Sequence, residues 1–76
     1  MAKAFLKVDV EPGKEEAVKG AMQRVVGVKQ AELTTGEQDI IAFVEAGSHD
    51  EVLTLVVNKV RTINGVRRTR TDIVLD

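Results

Sequence analysis

Two stretches of this chain carry the same pattern, and that repetition limits the fold more than any other feature. Val18, Met22, Val25, Gly27 and Val28, shifted by 38 positions, fall on Val56, Val60, Ile63, Gly65 and Val66. Each set places apolar residues at helical spacing, then a glycine, then the start of an extended segment. Ahead of the first set, AFLKVDV puts Ala4, Leu6, Val8 and Val10 on one face, with Lys7 and Asp9 on the other. That alternation predicts a strand with one buried face. EPGKEE then turns the chain, and Glu15 and Glu16 suit the positive end of a new helix. Ala17, Val18, Ala21, Met22 and Val25 give it a single apolar stripe, and Gly27 is placed to end it.

The second half repeats the plan with more apolar residues. VKQAELT reads as a polar edge strand. IIAFVEA is apolar on both sides, with Ile40, Ala42 and Val44 on one and Ile41 and Phe43 on the other, as a central strand covered twice should be. Ser48 and Glu51 have the spacing of a capping box. The helix they open carries Val52, Leu53, Val56, Val57, Val60 and Ile63, with Leu55 extending a band wider than one sheet contact requires. Gly65 closes it and VRRTRTDIVL forms the last strand. Two βαβ units joined by a hairpin predict an α+β, ferredoxin-like βαββαβ fold: an antiparallel four-stranded sheet with two helices on one face. The opposite face then bears Phe5, or else Ile41 and Phe43, with no helix to cover it. A second copy packed sheet to sheet is the simplest cover, giving an isologous dimer.

Size points the same way. Seventy-six residues make one domain, 1–76, which buries only ~60% of the surface its unfolded chain exposes. No cysteine supplies a disulfide or thiolate metal site, so self-association is the expected source of added stability. A net charge of −1 and only two aromatics argue against a nucleic-acid-binding surface. No segment approaches a signal peptide or membrane span, and a soluble cytoplasmic protein is expected. No P-loop, nucleophile triad or carboxylate pair suggests an enzyme or a cofactor. His49, the lone histidine, sits beside a helix cap and reads as solvated surface. Arg61, Arg67, Arg68 and Arg70 form a local basic patch that reads as a charged edge and rim; the alternative, an anion or nucleic-acid site, is disfavoured by the missing aromatics.

The corner TTGEQD, residues 34–39, holds more chemistry than a hairpin needs. A glycine turn exposes backbone N–H groups in a concavity that favours anions, and Gly36 is expected to take positive φ there, with Thr35 adding a hydroxyl. Asp39 and Glu37 offer acceptors for an ammonium group. Together they would suit an amino acid zwitterion. The same residue types are also ordinary hairpin formers. On the last strand, Thr69 and Thr71 share parity with Ile73 and Leu75 and would need partners if buried, though β-branched strand filler accounts for them equally.

AFLKVDVEPGKEEAV, VVGVKQAELTTGEQDIIAFVEA and VVNKVRTINGVRRTRTDIVL, in this order, resemble the effector-binding (RAM) domain of the Lrp/AsnC transcriptional regulators, from about Ala4 to Leu75. The TGEQD corner, the paired Gly-Val turns and the closing TRTDIVL carry the resemblance. It implies the βαββαβ fold, dimers paired through their sheets, higher oligomers of dimers, and a small-molecule effector, usually an amino acid, in the cleft where dimers meet. It assigns Thr35, Gly36, Glu37 and Asp39 to that cleft, with Thr69 and Thr71 approaching from the last strand. Gln38 stands where family members often have an aromatic residue. The family's DNA-binding helix-turn-helix has no counterpart in the sequence, which is expected to be a stand-alone effector domain. Co-assembly with full-length regulators is one implied role; a ligand-independent assembly module is the other.

Overall fold

The computed structural model describes residues 1–75. In chain order it contains β1 (Ala2–Val10), α1 (Glu15–Gln23), β2 (Val28–Leu33), β3 (Ile40–Ala46), α2 (His49–Leu55) and β4 (Val66–Ile73), with a π-helical turn over Val56–Val60 continuing α2. The strands form one antiparallel sheet in the order β2-β3-β1-β4. The βαββαβ architecture expected from the repeat is present.

The core lies on one face of that sheet. Leu6 and Val8 of β1, Ile40 and Val44 of β3 and Ala31 of β2 are buried against Val18 and Met22 of α1, with Val52, Val56 and Val60 from the second helical segment. Each of the larger aliphatics contributes about 1.5–3 kcal/mol by leaving water. The other face of β3 is not covered in the single chain. Phe5 and Phe43 stand opposite one another in register, their ring centroids 5.2 Å apart and tilted by 53°. Phe5 keeps 46% of its surface exposed. Lys7 pairs with Ile41, so both apolar sets considered from the sequence lie on the same bare face.

The second helix differs from the expected single run through Ile63. Val52, Val56 and Val60 are four residues apart, and each such step overshoots an α-helical turn of 3.6 residues. The wider π turn takes up the overshoot and keeps all three in the core. Its signature is the Arg61 N–H donating to the Val56 carbonyl at 2.9 Å. Leu53 and Val57 fall outside this line and remain about half exposed, at 48% and 49%. At the start of α2, Ser48 Oγ accepts from the Glu51 N–H at 3.1 Å, as its cap position predicts.

The two Gly-Val turns confirm the internal repeat in atomic detail. Gly27 and Gly65 adopt φ of 103° and 107°, values that favour glycine. The Gly27 carbonyl accepts from the Glu45 N–H and the Gly65 carbonyl from the Glu11 N–H, both at 2.8 Å. Each turn also lies under the opposite helical segment. A Cβ on Gly65 would stand 3.0 Å from Val18 Cγ2, and one on Gly27 would run into the Leu55 side chain. The helix α1 itself stops at Gln23, and the Val25 and Val28 N–H groups then close two tight turns before the strand begins.

Candidate ligand-binding site

The corner between β2 and β3 is a six-residue loop, 34–39, closed on itself by Thr34. The Thr34 N–H donates to the Asp39 carbonyl at 2.9 Å, and its Oγ1 donates to the Gln38 carbonyl at 2.6 Å. The loop is also tied to the end of β1. Val8–Ile40 is the last pair of the β1–β3 ladder, which leaves the Val10 N–H without a partner on β3. Asp39 supplies one: its Oδ2 accepts from the Val10 N–H at 2.8 Å, while its own N–H donates to the Val8 carbonyl at 3.0 Å. Asp39 therefore holds the corner in place.

Gly36 departs from expectation. Among the described residues only Gly13, Gly27 and Gly65 have positive φ, so the left-handed glycine that a backbone nest requires does not occur at Gly36. Gly36 instead lies where a Cβ would be 3.2 Å from Gln38 Nε2. Thr35, Gly36 and Glu37 are exposed. Thr69 and Thr71 pair with Val8 and Leu6, whose side chains point toward the helices, so both threonines are directed to the helix side of the sheet. Leu75, expected to continue their face, lies beyond β4 and is exposed.

Two adjoining concavities run between the corner and β4. One of about 260 Å³ is lined by Lys7, Asp9, Glu37, Gln38, Arg68, Thr69 and Arg70. The other, about 360 Å³, is lined by Asp9, Val10, Glu37, Asp39, Arg67 and Arg68. Glu37 lines both concavities, Thr69 only the first and Asp39 only the second, while Thr35, Gly36 and Thr71 line neither. The structure adds Lys7, Asp9, Arg68 and Arg70, which sequence reasoning did not assign to the effector. Their parity was readable: ferredoxin-like topology sets β1 beside β4, so Lys7–Arg70 and Asp9–Arg68 face each other across the ladder.

The lining mixes charges of both signs at short range. Arg68 Nε lies 3.5 Å from Asp9 Oδ2, and Lys7 Nζ lies 3.0 Å from Asp72 Oδ2. Both pairs are partly solvated, and such pairs contribute ~0–1 kcal/mol, which leaves them free to exchange partners. Arg70 and Glu37 make no ion pair among the described residues. The same surface can therefore present guanidinium donors to a carboxylate and a carboxylate to an ammonium. Among the described residues no group of His, Asp or Glu side chains is arranged to hold a metal ion, and no helix is long and apolar enough to cross a membrane.

A family model described as the Lrp/AsnC ligand binding domain matches residues 3–76. The chain belongs to this family. No match was found among curated proteins. Among solved structures, FFRP-DM1 is 28% identical with a TM-score of 0.93, over 99% of this chain and 100% of that one. AsnC from E. coli is 25% identical with a TM-score of 0.92, over 99% of this chain, which spans 51% of AsnC. The transcriptional regulator NMB0573 of Neisseria meningitidis, solved as a complex with L-Met, is 18% identical with a TM-score of 0.85, over 99% of this chain and 50% of that one. At that identity it shares the fold alone. The Lrp/AsnC assignment made from the TGEQD corner, the Gly-Val turns and the last strand is thus established, and the chain is a ligand-binding domain of a regulator family.

Proposed function

We propose that this chain is an amino-acid sensor that acts in transcriptional regulation as an oligomer of sheet-paired dimers, in the cytoplasm and alongside full-length regulators of its family. The observation that carries this reading is the 260 Å³ cleft in which Glu37 and Asp9 stand beside Arg68, Arg70 and Lys7. Its volume lies just below the ~300–1,000 Å³ of typical ligand clefts and suits a ligand of amino-acid size. Arg70 and Arg68 are the donors for the α-carboxylate, and Glu37 is the acceptor for the ammonium. Thr35 and Gly36, at the tip of the corner, contact the ligand only where a second dimer closes over them. The bare face around Phe5 and Phe43 adjoins the cleft through Lys7, so a second copy covering that face also narrows the cleft's mouth. The binding of L-Met by the Neisseria regulator supports an amino acid as the ligand class.

Calorimetric titration of the purified oligomer with each of the twenty amino acids tests this. Saturable heat with at least one, weakened tenfold or more by Glu37→Gln and by Arg70→Gln, is the expected result. No heat with any of them at millimolar concentration overturns it. One observation favours a second reading: Asp39 is already engaged within the fold, as a corner serving only structure would require. An assembly module of that kind would keep its mass by light scattering in both variants and show no amino acid binding.

A further inference from the structure

Three arginines meet in a place the effector cleft does not explain. A separate concavity of about 230 Å³ is lined by Arg61, Val66, Arg67, Arg68 and Thr69, with no carboxylate among them. Two local irregularities border it. Consecutive strand residues normally point to opposite faces, and at Arg67 that alternation is interrupted. The cause lies in the β1–β4 ladder, where Asp9 pairs with Arg68 and Val10 pairs with Val66, leaving Arg67 as an extra, unpaired residue. Such a bulge bends the strand and re-aims a side chain. The third arginine arrives from the helical side. Arg61 ends the π turn through its N–H bond to the Val56 carbonyl, and π turns, like bulges, recur at functional sites.

Neither Arg61 nor Arg67 has a carboxylate within ion-pair distance among the described residues, and Arg68 shares only a single 3.5 Å contact with Asp9. Concentrating three guanidinium groups with one 3.5 Å ion pair among them costs electrostatic energy through like-charge repulsion, which the carboxylates bordering the adjoining 360 Å³ concavity offset only in part. A bound polyanion removes that cost. Guanidinium forks match phosphate oxygens bidentately, and three of them exceed what one carboxylate can satisfy. We infer that this concavity is a phosphate site, centred on Arg61 and Arg67 and joined to the 260 Å³ effector cleft through Arg68 and Thr69, which line both, while Arg67 also borders the 360 Å³ concavity beside it. Its ligand is a small phosphate dianion or diphosphate, either free or carried by a nucleotide. Occupancy would draw Arg68 from Asp9 and release that carboxylate into the neighbouring cleft, so phosphate and effector would influence one another's affinity by equal factors.

The experiment is titration of the full chain with pyrophosphate, at low ionic strength in a chloride buffer, followed by backbone amide shifts and calorimetry. The expected result is saturable binding with shifts concentrated at residues 61 and 66–69. Affinity should fall tenfold or more in Arg61→Gln and in Arg67→Gln, with little change in Lys29→Gln, which removes the same charge on β2. An adenosine diphosphate arm beside an adenosine arm identifies the source: equal binding of both phosphates assigns a free anion, and tighter nucleotide binding with adenosine silent assigns a nucleotide. Absence of saturable binding up to 10 mM pyrophosphate overturns the inference. So does an equal loss in Lys29→Gln, which would reduce the effect to net charge. Thermal melts of each variant confirm that these exposed substitutions leave the fold intact.

Discussion

Replacing Asp39 separates what the corner does for the fold from what it does for a ligand. In the native chain its carboxylate accepts the Val10 N–H at 2.8 Å, just outside the first residue of β3. Asp39→Ala removes the acceptor and leaves a half-buried backbone donor. A hydrogen bond to a charged group contributes about 1.5–3 kcal/mol, and partial access of water to this site favours the lower part of that range. The expected loss is ~1–2 kcal/mol. Asp39→Asn keeps an oxygen in the same place without the charge and should lose ~1 kcal/mol or less. With a urea m-value of ~1 kcal/mol/M for a domain this small, the midpoint should fall by ~1–2 M in the alanine variant and by less than ~1 M in the asparagine variant. Both must be measured at one protomer concentration, because the proposed assembly would contribute to apparent stability. Amide exchange supplies the local readout: Val10 should lose protection in Asp39→Ala and retain it in Asp39→Asn. A Val10 amide that stays protected in the alanine variant would refute the reasoning. The asparagine variant is also the better probe of binding, since an affinity lost while stability is kept assigns the charge itself to the ligand.

Two further outcomes follow from the packing. Gly65→Ala should cost ~2–4 kcal/mol, combining ~1–2 for a side chain at left-handed φ with overpacking against Lys14 and Val18, where the added carbon would stand 2.9–3.0 Å away. Gly13→Ala, at φ +91° with nothing within 4 Å, bears the strain alone and should cost ~1–2 kcal/mol; equal thermal destabilisation of the two would show that the contact is relieved at no cost. Phe5→Lys places a charge at the centre of the bare face without disturbing the core, and light scattering should show the assembly reduced to a smaller species. An unchanged mass would move the dimer interface elsewhere.

Most of the fold was legible because it depends on periodicity. Alternation in AFLKVDV, helical spacing in two stripes and a repeat shifted by 38 positions suffice to specify strand, helix and connection. The Gly-Val turns were legible for a related reason: the left-handed backbone and the opposing helical segment both demand glycine, so the requirement appears twice in the sequence. Gly36 shows the limit. Glycine is permitted to take positive φ but is not compelled to, and in this loop Asp39 and Thr34 set the backbone through hydrogen bonds that no spacing rule records.

The same limit applies to the arginines, whose clustering is visible in the sequence while their common hollow is not. In a regular strand Arg67 would oppose Arg68, and in a regular α-helix the line through Val52, Val56 and Val60 would drift away from the sheet. One extra residue in each element, the Arg67 bulge and the π turn, reverses both outcomes and brings Arg61 to the same hollow. Such one-residue insertions leave hydrophobic periodicity almost untouched, because the core positions on either side are kept. They act on the residues that face away from the core, which is where ligands bind. Where regular patterning predicts the scaffold of this domain so well, its few irregular positions are the ones whose geometry the scaffold alone does not require.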